Sequence, residues 1–99
     1  MKVAVFGSFV FKMKIIWTRH AAERQKAWEN RLGITRELVE RVLENPEQVV
    51  EGYQGARIAQ SRYRDGLLRV VFVEHGVERK VLTVYWTSKV GKYWEAKTG

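Results

Sequence analysis

The dipeptide Asp65-Gly66, set between two runs of β-branched and large apolar residues, constrains this chain more than any other feature. A two-residue hairpin loop needs positive φ at its central positions, which Asp and Gly adopt at low cost, so the dipeptide predicts an antiparallel pair of strands. Taken as the loop, it pairs Arg64 with Leu67, Arg62 with Arg69, Gln60 with Val71 and Ile58 with Val73. The alternate face then carries Tyr63 with Leu68, Ser61 with Val70 and Ala59 with Phe72. That second set is the more apolar, so Ala59, Tyr63, Leu68, Val70 and Phe72 are expected to pack on the core.

Upstream, the periodicity is helical. Thr18 reads as an N-cap, the residues from Arg19 to about Arg31 favour helix, and Gly33 reads as the stop. Ala21, Trp28 and Leu32 share one face of that helix. A second helix opens at the cap Thr35, buries Leu38, Val39, Val42 and Leu43, and ends at Asn45-Pro46. Beyond Pro46 the turn signals Gly52, Gln54-Gly55, Asp65-Gly66 and His75-Gly76 divide the chain into four strands near 48–53, 56–64, 67–74 and 77–86. Leu82, Val84 and Trp86 of the last strand alternate toward the core, which leaves Tyr85 beside the arginines. Thr87 or Ser88 could cap a short helix over Lys89–Glu95.

The expected fold class is therefore α+β: two N-terminal helices on one face of an antiparallel four-stranded β-meander, with a short C-terminal helix. Residues 14–99 form a single domain. Residues 1–13 read either as a lead-in strand or as an extension upstream of a start at Met13. The apolar run there is broken by Gly7, Ser8, Lys12 and Lys14, which suits neither a signal peptide nor a membrane span.

Charge narrows the partners. The net charge is +7, and from Gly55 onward nine basic residues face four acidic ones, so the excess lies in the meander. Such a surface attracts phosphate, because neutralising a polyanion releases condensed counterions. The chain has no cysteine, which removes disulfides, thiolate metal sites and cysteine nucleophiles and fits a cytoplasmic setting. No spacing suggests a metal site or a nucleotide cofactor.

The hairpin register puts Arg62 and Arg69 directly opposite each other on the polar face, with Gln60 and Arg64 alongside. Like charges so placed repel by up to ~1 kcal/mol, and an anion between them reverses the sign. Neutralisation by Glu51 or Glu78, or extension of both side chains into water, is the alternative. His20 is the candidate for proton transfer, since histidine ordinarily titrates near neutrality. Tyr85, Lys89, Lys92 and Tyr93 add stacking surface and positive charge, and Arg24 adds charge on the first helix.

The string Arg19-His20-Ala21-Ala22-Glu23-Arg24, the connection Leu32-Gly33-Ile34-Thr35, Asn45-Pro46 before the first strand, and Thr83-Val84-Tyr85-Trp86-Thr87-Ser88-Lys89 occur together and in order over about residues 14–94. In these the chain resembles a domain-of-unknown-function group of small bacterial and phage-associated proteins. That group is in turn distantly similar, in topology and charge, to the RelE/ParE and BrnT toxins. The resemblance implies a RelE-like topology and a metal-independent endoribonuclease that works with an antitoxin partner. His20 or Tyr85 would transfer protons, and Arg62 and Arg69 would stabilise the phosphate. Arg24, Gln60, Arg64, Lys89 and Lys92 would contact RNA. A non-catalytic nucleic-acid or protein-binding module that uses the same basic face is the other reading.

Overall fold

The computed structural model describes the backbone of residues 3–6 and 9–96 and the side chains of residues 13–96. The helix signals act as their residue types require. Helix α1 (Arg19–Leu32) starts where the Thr18 hydroxyl accepts from the Ala21 N–H and ends at Gly33, whose φ is 72°. Helix α2 (Arg36–Glu44) starts where the Thr35 hydroxyl accepts from the Leu38 N–H, and Asn45 closes it. Ala21 and Trp28 of α1 and Val39, Val42 and Leu43 of α2 are buried together.

The main sheet holds five strands: β3 (Lys14–Trp17), β4 (Gln48–Glu51), β5 (Arg57–Tyr63), β6 (Gly66–His75) and β7 (Glu78–Thr87), in the order β3-β7-β6-β5-β4. The architecture is α+β as expected, with the expected short C-terminal helix as α3 (Val90–Tyr93), but the sheet is five-stranded and mixed rather than a four-stranded antiparallel meander. The additional strand β3 runs parallel to β7, matching Lys14 with Glu78 through Trp17 with Val81. Its four residues carry no turn signal, and a parallel pairing has no hairpin to announce it. The chain then passes straight into α1, because the Thr18 N–H donates to the Val81 carbonyl and extends the ladder by one bond.

Strands β1 (Val3–Phe6) and β2 (Phe9–Lys12) pair with each other in a separate two-stranded sheet. The two readings of residues 1–13, lead-in strand or extension before Met13, fall mainly on side chains outside those described.

The hairpin register differs from the expectation. Tyr63 pairs with Gly66, so the loop is Arg64-Asp65, with positive φ at Arg64 (56°) and not at Asp65. The reason lies in space rather than in dihedral freedom. A Cβ on residue 66 would overlap the Thr87 carbonyl oxygen and the Trp86 ring, so the glycine must sit in the strand beneath Trp86. Moving the loop back by one residue moves every partner by two, which preserves the faces. Ala59, Leu68, Val70 and Phe72 therefore lie in the core, with Tyr63 packed against it. The opposed pair Arg62 and Arg69 is not formed: Arg62 faces Leu67, and Arg69 faces Gln60.

A second correction concerns β7. The His75-Gly76 signal gives a two-residue loop, Gly76-Val77, with Gly76 at φ 60°. The register then shifts between Val71 and Phe72, whose partners are Thr83 and Val81, so Leu82 has no partner on β6. This bulge changes the phase of alternation. Val81 and Val84, not Leu82, are the fully buried residues, and Trp86 packs partly buried against them.

Helix α1 covers β7, and α2 covers β5 and β6. The layers are tied by Trp17 Nε1 to Glu40 (2.9 Å) and the Tyr63 hydroxyl to the Leu32 carbonyl (2.9 Å), and within the sheet Trp86 Nε1 donates to the Tyr63 carbonyl (2.9 Å). Gly66→Ala should therefore lose about 1–3 kcal/mol of stability, the range for overpacking a filled site. Gly91→Ala, where an added methyl meets nothing within 4 Å, should stay within about 0.5 kcal/mol of the parent. Urea midpoints at unchanged m-value measure both.

Candidate functional site

The sheet face away from α1 and α2 carries Gln60, Arg62, Arg69 and Tyr85, as the alternation requires. It is not open along its length. After β7 the chain turns back through α3 and lays Tyr93 and Trp94 across it. The Tyr93 ring stands 4.1 Å from the Arg69 guanidinium, and the Trp94 ring 4.7 Å from that of Arg62. Gln48 fixes the segment to the edge strand by donating to the Glu95 carbonyl (2.6 Å) and accepting from the Glu95 N–H (3.2 Å).

Beneath this cover Arg69 keeps only 4% of its exposure and Gln60 none. Both were expected in solvent, and the folding back of α3 is what buries them. Arg69 Nε donates to Gln60 Oε1 at 2.8 Å, and Nη1 donates to the Tyr85 hydroxyl. Gln60 Nε2 donates in turn to Gln48 Oε1 (2.8 Å) and to the Tyr93 carbonyl (3.0 Å). Among the described residues no carboxylate forms a salt bridge with Arg69; the described ion pairs are Lys14–Glu78, Arg36–Glu40, Arg57–Glu74 and Arg79–Glu74. A guanidinium normally loses several kcal/mol on leaving water and regains it from a carboxylate. Here two neutral oxygens and two tyrosine rings are its partners.

Arg69 opens into a groove of roughly 850 Å³ that it shares with Thr83, Tyr85, Lys92, Tyr93 and Tyr53, with Glu51 at the rim. Arg69 is thus both 4% exposed and part of the groove lining, with Nε and Nη1 engaged by Gln60 and Tyr85. His20 stands in the first turn of α1, exposed, with Nε2 at 3.2 Å from the Thr83 hydroxyl. It meets the groove through Thr83, two residues from Tyr85 on the same strand.

Two of the four residues expected to act together, Arg69 and Tyr85, line one groove, and His20 touches only its Thr83. Arg62 does not line it, being stacked on Trp94. Of the expected contact residues, Lys92 lines the groove and Gln60 lies buried beneath Arg69. Arg24 is exposed on α1, Arg64 stands in the hairpin loop with its guanidinium 5.5 Å from the Tyr63 ring, and Lys89 is exposed before α3. None of these three lines the groove. Neither Tyr53 nor Thr83 is a candidate on sequence grounds, although an aromatic held between Gly52 and Gln54-Gly55 has no core within reach and is a signal of a kind. Among the described residues no group of three or more His, Asp or Glu is placed to hold a metal ion. None of the helices described is long and apolar enough to cross a membrane.

Gln60→Leu tests the buried network. It removes the acceptor of Arg69 Nε and the donor to the Tyr93 carbonyl, so the fold should lose at least ~2 kcal/mol and α3 should lose amide-exchange protection. Arg62→Ala, which gives up one exposed ring contact, should cost less than ~1 kcal/mol. Urea unfolding and hydrogen exchange separate the two.

Comparison with known proteins returns no match among curated proteins and none among solved structures. A family described as a domain of unknown function, DUF4258, matches residues 17–86, a span that runs from the end of β3 through Trp86 and includes His20, Arg69 and Tyr85. The chain belongs to the DUF4258 family.

Proposed function

We propose that the groove binds an RNA backbone phosphate on Arg69 and that the protein is a metal-independent endoribonuclease of the toxin-like kind. The observation that carries this reading is the buried Arg69 guanidinium, held by neutral partners and lining the groove. A phosphate there supplies the charge that no described carboxylate supplies, in a setting of low dielectric where the attraction is strong. Lys92 at the same groove and the net charge of +7 add long-range attraction.

The proposed chemistry uses His20 of α1, Arg69 of β6, Tyr85 of β7 and Lys92 of α3. The ribose 2′-oxygen attacks phosphorus as its proton passes to neutral His20, and charge gathers on the non-bridging oxygens beside Arg69 and Lys92. The bond from phosphorus to the 5′-oxygen breaks, and the Tyr85 hydroxyl gives that oxygen its proton. Tyr85 accepts a hydrogen bond from Arg69, which fixes its ring and leaves its own O–H free to donate. The proton held by His20 returns to Tyr85 through solvent, and the products are a 2′,3′-cyclic phosphate and a 5′-hydroxyl. This reading keeps the resemblance to RelE/ParE and BrnT toxins as an expectation from the sequence, and with it an antitoxin protein as the proposed partner.

A second reading, RNA binding without turnover, draws on two observations: His20 is exposed with its Nε2 engaged by Thr83, and Arg62 lies outside the groove. Incubation of free and ribosome-bound RNA with the protein in EDTA separates the two. Cleavage to cyclic-phosphate ends is expected, reduced about 10²–10³-fold in Arg69→Met and about 10²-fold in Tyr85→Phe or His20→Ala, with folding of each variant checked by circular dichroism. Salt-dependent binding with every RNA left intact would leave only the second reading.

A further inference from the structure

The loop between β4 and β5 presents one feature that anion binding does not use. Tyr53 is 92% exposed, the most exposed of the large hydrophobic residues described, and it lines the same groove as Arg69. It is not on a loose tip. The Gly52 N–H donates to the Ala56 carbonyl at 2.9 Å and the Ala56 N–H to the Tyr53 carbonyl at 3.0 Å, while Gln54 and Gly55 take positive φ to close the turn. A fixed backbone thus holds an aromatic ring in water, where its apolar surface has no protein to cover it.

Glu51, two residues before Tyr53 in the chain, lines the groove and repels phosphate, whereas Arg69 and Lys92 attract it. A ligand carrying both an anion and a flat aromatic group is therefore oriented by the groove itself, its anion toward Arg69 and its ring toward Tyr53. In RNA those two groups belong to the same nucleotide. They are separately accessible only where the base is unpaired, because in a duplex its faces are stacked and its edge is occupied.

We infer that Tyr53 is a stacking platform for one unpaired nucleobase, whose adjoining phosphate is held by Arg69, so that the groove selects single-stranded over duplex RNA. The inference rests on the phosphate reading of Arg69 and assigns the substrate class of that site. Stacking on a tyrosine tolerates any base, so the selection is for strand state rather than for sequence.

The test is fluorescence anisotropy with a labelled 2′-O-methyl octanucleotide, which lacks the 2′-hydroxyl nucleophile and stays intact, against its blunt duplex and against the same strand with one abasic residue at each position in turn. The wild-type protein should bind the single strand at least tenfold more tightly than the duplex, and one abasic position should weaken binding. Tyr53→Ala should reduce single-strand affinity about tenfold to a hundredfold with the salt slope unchanged, and Tyr53→Phe should retain it. Because Tyr53 is almost wholly exposed, both variants keep the fold. Binding that falls in Arg69→Met but is unaltered in Tyr53→Ala overturns the platform and leaves the phosphate reading standing. Equal affinity for single strand and duplex also overturns it, and no binding of any RNA by the wild type removes both readings.

Discussion

The close approach of Gly66 to Trp86 and the Thr87 carbonyl sets the geometry on which the rest of the molecule depends. It brings β6 and β7 together where no side chain could fit between them, and so decides which residue of β6 faces which residue of β5. From it a chain of hydrogen bonds runs through Trp86 Nε1 to the Tyr63 carbonyl, and from the Tyr63 hydroxyl to the Leu32 carbonyl at the end of α1. A glycine at the start of the central strand thereby positions a helix on the far side of the core.

The same register places a glutamine, not a second arginine, opposite Arg69. That substitution of partner changes the electrostatics in kind. Two facing arginines would remain solvated and repel each other, whereas one arginine bonded to an amide oxygen and a phenol can be covered by an aromatic segment and kept charged. The cover is selective. Tyr93 and Trp94 close over the two guanidinium groups from above, while the side toward Thr83 and Tyr53 stays accessible.

Local chemistry was legible in the sequence wherever one residue type has one job. Thr18 and Thr35 cap helices because a β-region hydroxyl ahead of a helical run has few other uses, and Gly33 ends α1 for a comparable reason. Asp65-Gly66 misled by a residue because glycine serves two ends, tolerance of positive φ and absence of a Cβ, and only the position of Trp86 shows which applies. The faces survived because sheet alternation has period two and the displacement was even. The parallel strand β3, the bulge at Leu82 and the return of Tyr93 over Arg69 were not legible. Each depends on a partner elsewhere in the chain that leaves no local pattern. Tyr53 went unnoticed because an exposed aromatic gains meaning only from what lies beside it.

The parallel ladder between β3 and β7 joins Lys14 to Glu78, positions 64 apart in the chain. Closing so large a loop is entropically costly and slow next to forming the β5–β6 and β6–β7 hairpins, which are local. Contact order therefore predicts that the three-stranded centre condenses first and that the strand opening the main sheet docks last, bringing α1 over β7. On that order the contact between His20 and Thr83 is among the last to form.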